Sequence, residues 1–176
     1  MRATSLAQMI VVMGACVFAT PAWAQDIDFD ADRAVSECVR TLPGCSAAAD
    51  KAQGMLIFPR VFANTGDVSG PSGDGALHIS KKAAGYYRMV GSSVGDLGGG
   101  RSVSQIIMFM TPAALKGFQD SSGWEVGANA KVTVIDQGKA ADIDTVTATN
   151  PVIAYVFGLR GLMGDLSLDG AKITRM

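Results

Sequence analysis

The chain from Gly54 to its C-terminus consists of short apolar or alternating runs separated by turn-forming residues. Runs of about four to eight residues bounded by Gly, Pro, Asp and Ser are typical of β-strands. Several short strands at such spacing favour an antiparallel sheet that curls or closes on itself. We therefore predict a mainly antiparallel curved β-sheet or barrel-like core. The strand-like runs are residues 55–58, 76–79, 85–90, 103–110, 132–135 and 152–157.

Two segments depart from this pattern and predict helices. In residues 25–53, apolar side chains recur at three- and four-residue spacing, and a Pro-Gly pair interrupts the segment. Near residues 111–119, Thr111 is a suitable N-cap and Pro112 suits the first helical position. The predicted fold class is therefore α+β, in which the N-terminal helices and the β-rich residues 54–176 form one domain.

Residues 1–24 have the pattern of a secretory signal peptide. Arg2 supplies a positive charge, an apolar stretch follows it, and Ala22-Trp23-Ala24 is a small-x-small cleavage motif. We therefore expect an exported protein whose mature chain begins at Gln25. A membrane anchor fits less well, because the stretch is shorter than the ~20 apolar residues that cross a bilayer. A lipoprotein cysteine at Cys16 also fits less well, because the residues before it match a lipobox poorly.

The charge balance limits the possible partners. The chain has 15 basic and 16 acidic residues, and one of the basic residues, Arg2, lies in the predicted leader. A chain this close to neutrality has no global positive field that would draw it onto nucleic acid or an anionic membrane. We expect no nucleic-acid partner, and we expect any membrane contact to be local and apolar.

Cys38 and Cys45 are candidates for a disulfide bond. They lie on either side of Leu42-Pro43-Gly44, and disulfides form and persist in the compartments that exported proteins reach. The alternative is a pair of free thiols packed in a helix interface. A metal site is less favoured, because the chain has no second cysteine pair and no paired histidines.

The residues that usually carry catalysis are sparse. His78 is the only histidine, it lies in an alternating strand-like run, and no GxSxG motif accompanies it. We therefore predict that His78 is an ordinary strand residue and that the chain has no catalytic residues and no metal site. Glu125 and Asp96 are the carboxylates most closely flanked by glycine and apolar residues, and they are the candidates if the protein is a hydrolase.

One segment resembles a phosphate-binding loop. Residues 95–102 fit GxxxxGK[ST] with arginine in place of lysine. That motif requires a helix after the loop, so that the helix N-terminus faces the phosphates. The residues that follow predict a strand instead, so we interpret the segment as a turn and expect neither a nucleotide nor another cofactor.

An apolar turn near the C-terminus is the candidate contact site. Glycines at 158 and 161 predict a turn, and turns usually lie on the surface. Its apolar side chains are either core residues or lipid contacts, and a central arginine suits a lipid phosphate. The candidate lipid-contact residues are Phe157, Leu159, Arg160, Leu162 and Met163.

Several short motifs occur in an order and spacing that resemble one known family. They are residues 51–59, 85–87, 108–111, 123–127, 161–163, 166–170 and 172–174. The pattern resembles the SYLF-domain family, whose bacterial members are exported, often lipid-associated proteins and whose eukaryotic members bind phosphoinositides and in some cases actin. The resemblance covers nearly all of the chain after the leader. It implies a noncatalytic, lipid-interacting module with a mainly antiparallel β core and helices at its start.

These observations predict an exported, noncatalytic protein of the periplasm or cell envelope that binds a membrane lipid or lies on a membrane face. The alternative is an envelope structural or interaction module that pairs strands with another envelope protein or with itself. An exposed edge strand at residues 103–110 would serve that purpose. A hydrolase that uses Glu125 or Asp96 is the third possibility.

The disulfide leads to a direct test. A bridge between Cys38 and Cys45 would close a small loop and stabilise the fold by about 2–3 kcal/mol. We expect mass spectrometry of the unreduced protein, before and after alkylation, to show no label on either cysteine, and label on both after reduction. Labelling of both cysteines without reductant would support free thiols instead.

Overall fold

One curled sheet forms the centre of the protein. The computed structural model describes residues 21–62, 72–91, 102–158, 161–163 and 167–176. Within these ranges, the strands are β1 Gly54–Phe62, β2 Ser72–Ile79, β3 Lys82–Val90, β4 Ser102–Phe109, β5 Trp124–Glu125, β6 Thr133–Val134, β7 Val152–Gly158, β8 Gly161–Leu162 and β9 Lys172–Arg175. The helices are α1 Ala22–Thr41, α2 Cys45–Lys51, α3 Pro112–Gln119, α4 Gln137–Ala141 and α5 Ile143–Thr149.

The sheet curls into a half-barrel and is mostly antiparallel, which confirms the predicted α+β class. The strand order is β5-β9-β3-β2-β1-β4-β7-β6, and β8 pairs with β7. β6 runs parallel to β7. Each of the six predicted runs contains or overlaps a strand, although residues 110, 132 and 135 lie just outside β4 and β6. The predicted helices correspond to α1, α2 and α3, although α1 begins at Ala22 rather than at residue 25.

Strand β4 lies inside the sheet, so the predicted exposed edge at residues 103–110 is wrong. Its residue Ile107 is in register with Leu56 of β1 on one side and with Ala154 of β7 on the other. A strand that is paired along both sides has no free row of backbone groups to offer a partner. The alternative function, strand pairing with another envelope protein or with a second copy, therefore has no support from β4.

Alternate residues of the central strands enter two separate cores. In β4, Ile107 and Phe109 point to one face of the sheet, and Ile106 and Met108 point to the other. Helices α1 and α2 cover the second face, which we call the α1 face. On the first face, Phe118 of α3 packs at ring-centroid distances of 4.9, 4.9 and 5.5 Å against three aromatic rings. These rings belong to Tyr87, Phe109 and Trp124.

The connection from α1 to α2 is held on several sides. A disulfide joins Cys38 to Cys45, and both residues are fully buried. The Tyr155 hydroxyl of β7 donates to the Pro43 carbonyl at 3.2 Å, and burial raises the pKa of this tyrosine to about 12. Gly44 follows with a φ of 72°. A Cβ at Gly44 would lie 2.8 Å from the carbonyl oxygen of Ala140 in α4. The connection therefore contacts both the sheet, through Tyr155, and helix α4.

Replacing Gly44 with alanine should therefore destabilise the fold. A left-handed backbone costs a non-glycine residue about 1–2 kcal/mol, and the close carbonyl contact adds to this cost. We expect the urea midpoint of Gly44→Ala to fall. The control is Gly117→Ala in α3, where a Cβ meets nothing within 4 Å and where alanine favours the helix. A Gly44→Ala protein as stable as Gly117→Ala would contradict the prediction.

Gln105 is an unusual residue in the centre of the sheet. It lies in β4 between Phe58 of β1 and Val156 of β7, and its side chain is fully buried. Neither its amide nitrogen nor its amide oxygen has a hydrogen-bond partner among the described residues. A buried carboxamide without partners costs free energy, because it gives up its hydrogen bonds to water.

Replacing Gln105 with leucine should stabilise the protein. The substitution keeps a similar volume and removes the desolvation cost of the amide, so we expect the free energy of unfolding to rise by about 1 kcal/mol or more. Chemical denaturation compares this variant with Gln119→Leu, a substitution at an exposed position in α3 that should change stability little. A loss of stability in Gln105→Leu alone would show that the carboxamide is satisfied in solution.

Candidate functional site

The predicted contact turn begins in the core. Phe157 near the end of β7 is 1% exposed and is in register with Leu162 of β8, so its side chain does not belong to a contact surface. Leu162 and Met163 are half-buried. The other two candidates, Leu159 and Arg160, lie outside the described residues.

Strand β8 folds back along the edge of β7. The Met163 N–H donates to the Val156 carbonyl at 2.8 Å. Leu162 packs against the core on the α1 face, whereas Met163 packs against the core on the other face. Gly161, with a φ of 83° and nothing within 4 Å of a Cβ position, permits the turn. Two partly exposed apolar side chains therefore lie at this end of the sheet.

The end of β1 lies at the same end of the sheet. Phe62 is in register with Ser102 of β4, and Ser104 of β4 is in register with Phe157 of β7. Since neighbouring strands are about 4.8 Å apart, the ends of β1 and β7 lie on the order of 10 Å apart. The predicted turn and Phe62 are therefore neighbours across β4.

A proline irregularity at the end of β1 directs the next side chain toward α1. The register of β1 against β4 shifts between Phe58 and Val61. Pro59 lies in this shift, where its lack of an N–H is tolerated. The Arg60 guanidinium then reaches α1 and donates to Asp30 Oδ2 at 2.5 Å.

Two exposed phenylalanines flank this ion pair. Phe29 of α1 is 66% exposed and Phe62 is 39% exposed. Depressions of about 710 and 400 Å³ lie on the two sides, and both are lined by Asp30, Pro59 and Arg60. Phe29 lines the larger depression and Phe62 the smaller one. We call Phe29, Asp30, Arg60 and Phe62 the Phe29–Phe62 surface.

The arginines of this region are balanced by acids. Arg33 lies 6.0 Å from the centroid of the Phe29 ring and 4.0 Å from Asp30. Arg88 donates twice to Asp74, at 2.6 and 2.9 Å, and this hydrogen bonding raises the pKa of Arg88 above its usual value. Because each of these cations has an acidic neighbour, the aromatic side chains dominate what the surface offers to a partner.

The only histidine lies beneath α1 rather than on an ordinary strand surface. His78 in β2 is 6% exposed. Its Nε2 is 3.9 Å from Asp28 Oδ1 and its Nδ1 is 3.8 Å from Asp32 Oδ1. The Tyr86 hydroxyl donates to Asp28 Oδ2 at 2.8 Å. The pKa of Tyr86 is raised to about 12, mainly by burial and to a smaller extent by this hydrogen bond to the Asp28 carboxylate.

Of the two candidate hydrolase carboxylates, the structure describes only Glu125. Glu125 in β5 is half-buried, and its Oε2 lies 3.8 Å from the Lys172 Nζ of β9. Asp96 lies outside the described residues. In the part of the chain that the structure covers, no three His, Cys, Asp or Glu side chains are grouped so that they could hold a metal ion.

The sequence analysis did not predict the Phe29–Phe62 surface, although the position of Phe29 in its helix could have indicated that this residue is exposed. The buried positions of α1 include Ala24, Ala31 and Ala34, and Phe29 does not share their side of the helix. A large aromatic residue off the buried stripe is an indication of exposure. Phe62 has no such signal, because its direction depends on the irregularity at the end of β1.

Comparison with protein-family models identifies residues 90–176 with the family described as Ysc84: Las17-binding protein actin regulator. The matched region runs from the end of β3 to the C-terminus, whereas the sequence motifs noted above begin at residue 51. A comparison with curated proteins gives no match. No helix in the described ranges is both long enough and apolar enough to cross a membrane.

Proposed function

The chain belongs to the SYLF (Ysc84) family, and from this premise we propose that it is an exported, noncatalytic lipid-binding protein of the cell envelope. The family is associated with lipid binding and with protein interactions in general. The noncatalytic part of the proposal rests on this family relationship.

The two exposed phenylalanines, each in a depression bordered by the Asp30–Arg60 ion pair, carry the lipid-binding proposal. Phe29 and Phe62 are among the most exposed large apolar side chains of the described residues. Leu162 and Met163 lie beyond β4 at the same end and are partly exposed. Aromatic and aliphatic side chains grouped in this way can enter the boundary between lipid headgroups and acyl chains.

The charges of the surface indicate how it would meet a membrane. Asp30 lies between Arg33 and Arg60, so attraction to anionic headgroups is offset locally. We therefore propose that apolar burial supplies most of the binding free energy and that the protein accepts zwitterionic as well as anionic membranes. Such binding depends little on ionic strength, because salt screens charges and leaves apolar burial largely intact.

Two features support export. Residues 1–24 have the pattern of a signal peptide, and the Cys38–Cys45 disulfide suits an oxidising compartment. Removal of the leader after Ala24 would start α1 at Gln25 and would keep Phe29 in the helix. The contact of Trp23 with Tyr86, at a centroid distance of 5.3 Å, would then belong to the precursor alone.

Vesicle co-sedimentation of the exported protein tests the proposal. We expect binding to both zwitterionic and anionic vesicles, with a change of about twofold or less between low and physiological salt. The double variant Phe29→Ser/Phe62→Ser should bind about tenfold or more weakly, since burying a phenylalanine contributes about 1.5–3 kcal/mol. The control is Met176→Ser, which removes another exposed apolar side chain. Met176 follows β9 and lines neither of the two depressions, so this variant should bind normally.

The turn is tested separately with Leu162→Asp. A charge at this partly exposed position should weaken vesicle binding, because a carboxylate would have to leave water. Circular dichroism and a denaturation curve check that the variant is folded. Absence of binding by the wild type, or equal binding by the wild type, Leu162→Asp and the double phenylalanine variant, would overturn the proposal.

A further inference from the structure

We propose that removal of the leader precedes the packing of α1 on the sheet, because the folded chain closes the bond that a leader peptidase cuts. This inference rests on the proposed export of the protein and adds an order of events to it. The bond joins Ala24 to Gln25. Its hydrolysis consumes one water molecule, breaks the C–N bond, and leaves a carboxylate on Ala24 and an amine on Gln25.

The cleavage bond lies inside a helix. Helix α1 runs from Ala22 to Thr41, and Ala24 is its third residue. The N–H groups of Ala24 and Gln25 both donate to the Pro21 carbonyl, at 3.0 and 3.4 Å. A peptide that binds as an added strand is extended and uses its backbone N–H and C=O groups for its partner. Because peptidases bind their substrates in this way, the hydrogen bonds to Pro21 have to break first.

The side chain before the cleavage bond is buried. Ala24 is 0% exposed. It shares one side of the helix with Ala31, Ala34 and Cys38, and these three residues belong to the core on the α1 face. A leader peptidase requires a small side chain directly before the bond it cuts. The same alanine therefore contacts the enzyme in the extended chain and faces the sheet in the folded chain, and it cannot do both.

The middle residue of the cleavage motif makes a second contact with the sheet. The ring of Trp23 lies edge-on against the ring of Tyr86 in β3, at a centroid distance of 5.3 Å. The Tyr86 hydroxyl also donates to Asp28 Oδ2 at 2.8 Å. Edge-to-face aromatic pairs and hydrogen bonds to carboxylates both stabilise a packed helix. The first turns of α1 are therefore attached to β3 on both sides of the cleavage bond.

A folded precursor is accessible to the peptidase only while the first turns of α1 are open. Proteolysis of such a segment follows the population of its open form when opening and closing are fast relative to cleavage. A helix end without tertiary contacts opens at almost no cost. Opening of α1 instead separates Trp23 from Tyr86 and removes Ala24 from its buried position. The open form is therefore a minor population, and cleavage of the folded precursor is slow.

Digestion of the full-length precursor by a purified leader peptidase in detergent micelles tests this order. One sample is refolded and oxidised before the enzyme is added, and the other is diluted from urea directly into the assay. Mass spectrometry follows the appearance of the chain that begins at Gln25. We expect the initial rate of cleavage to be at least about tenfold lower for the refolded precursor, because its open form is rare.

Two substitutions separate folding from recognition by the peptidase. Trp23→Ser changes the position that the small-x-small motif leaves open, and its mature product is identical to that of the wild type. Tyr86→Leu removes the partner of the Trp23 ring and leaves the motif unchanged. We expect both refolded variants to be cut several-fold faster than the refolded wild type, because the first turns open more often. Both should be cut at the wild-type rate when they are diluted from urea.

The matched control is Val39→Ala, which removes an exposed apolar side chain near the other end of α1 and should be cut like the wild type in both samples. Circular dichroism and a urea denaturation curve in the assay detergent verify that each refolded sample is folded. Equal rates for the refolded and the urea-diluted wild type would overturn the inference. So would refolded Trp23→Ser and Tyr86→Leu proteins that are cut no faster than the refolded wild type.

Failure of the leader assignment gives a different result. If the peptidase does not cut the urea-diluted wild type after Ala24, the predicted cleavage site is wrong, and both the proposed order and the leader-based argument for export are overturned. If it cuts the urea-diluted and the refolded wild type equally fast, the leader assignment stands and the order alone is wrong. Neither result depends on vesicle binding by the mature protein.

Discussion

The whole structure depends on the burial of both faces of the central strands. In β7, the six residues from Val152 to Phe157 are all buried, and β4 is buried almost as completely. A strand that is apolar on both faces needs a covering layer on each side. Helices α1 and α2 supply the layer on one side, and α3 with the aromatic cluster around Phe118 supplies it on the other.

Helix α1 links this packing to the exposed surfaces beside it. Its buried positions include small residues, Ala31 and Ala34, and the bridged Cys38, so the helix backbone can approach the sheet closely. A helix that is seated in this way exposes a strip along each of its two sides. Phe29 lies on the exposed part of the helix, and the neighbouring Asp30 pairs with Arg60 near the end of β1. Val35 and Val39 line a depression on the side of the helix that faces the β2–β3 hairpin, and His78 also lines it.

Buried polar groups limit how α1 can sit. Asp28 accepts a hydrogen bond from Tyr86 and lies beside His78, and Asp30 pairs with Arg60. Separating the partly buried Asp28 and Tyr86 would cost free energy, whereas the Asp30–Arg60 pair contributes less because the Arg60 side chain is 61% exposed. These contacts favour the observed position of the helix on the sheet.

Much of the fold was accessible from the sequence because its signals are local. Apolar runs indicated β1, β2, β3, β4, β6 and β7, and the Thr111-Pro112 pair indicated α3. Helices α4 and α5 were missed, since they are short and contain Gly138 and three threonines, which are weak helix formers. Strands β5, β8 and β9 were missed because they have only two to four residues and, unlike the equally short β6, do not lie within a longer apolar run.

By itself, the sequence determined the α+β class, the main strands, the cysteine pair and the family likeness, because each depends on residues close together in the chain. Only the tertiary structure placed β4 inside the sheet, buried Phe157, paired Asp30 with Arg60 and put His78 under two carboxylates. Those outcomes depend on which distant segments pair and which face each helix covers. Local periodicity indicates which side chains share one face of a helix or strand. Long-range packing decides whether that face contacts the core or the solvent.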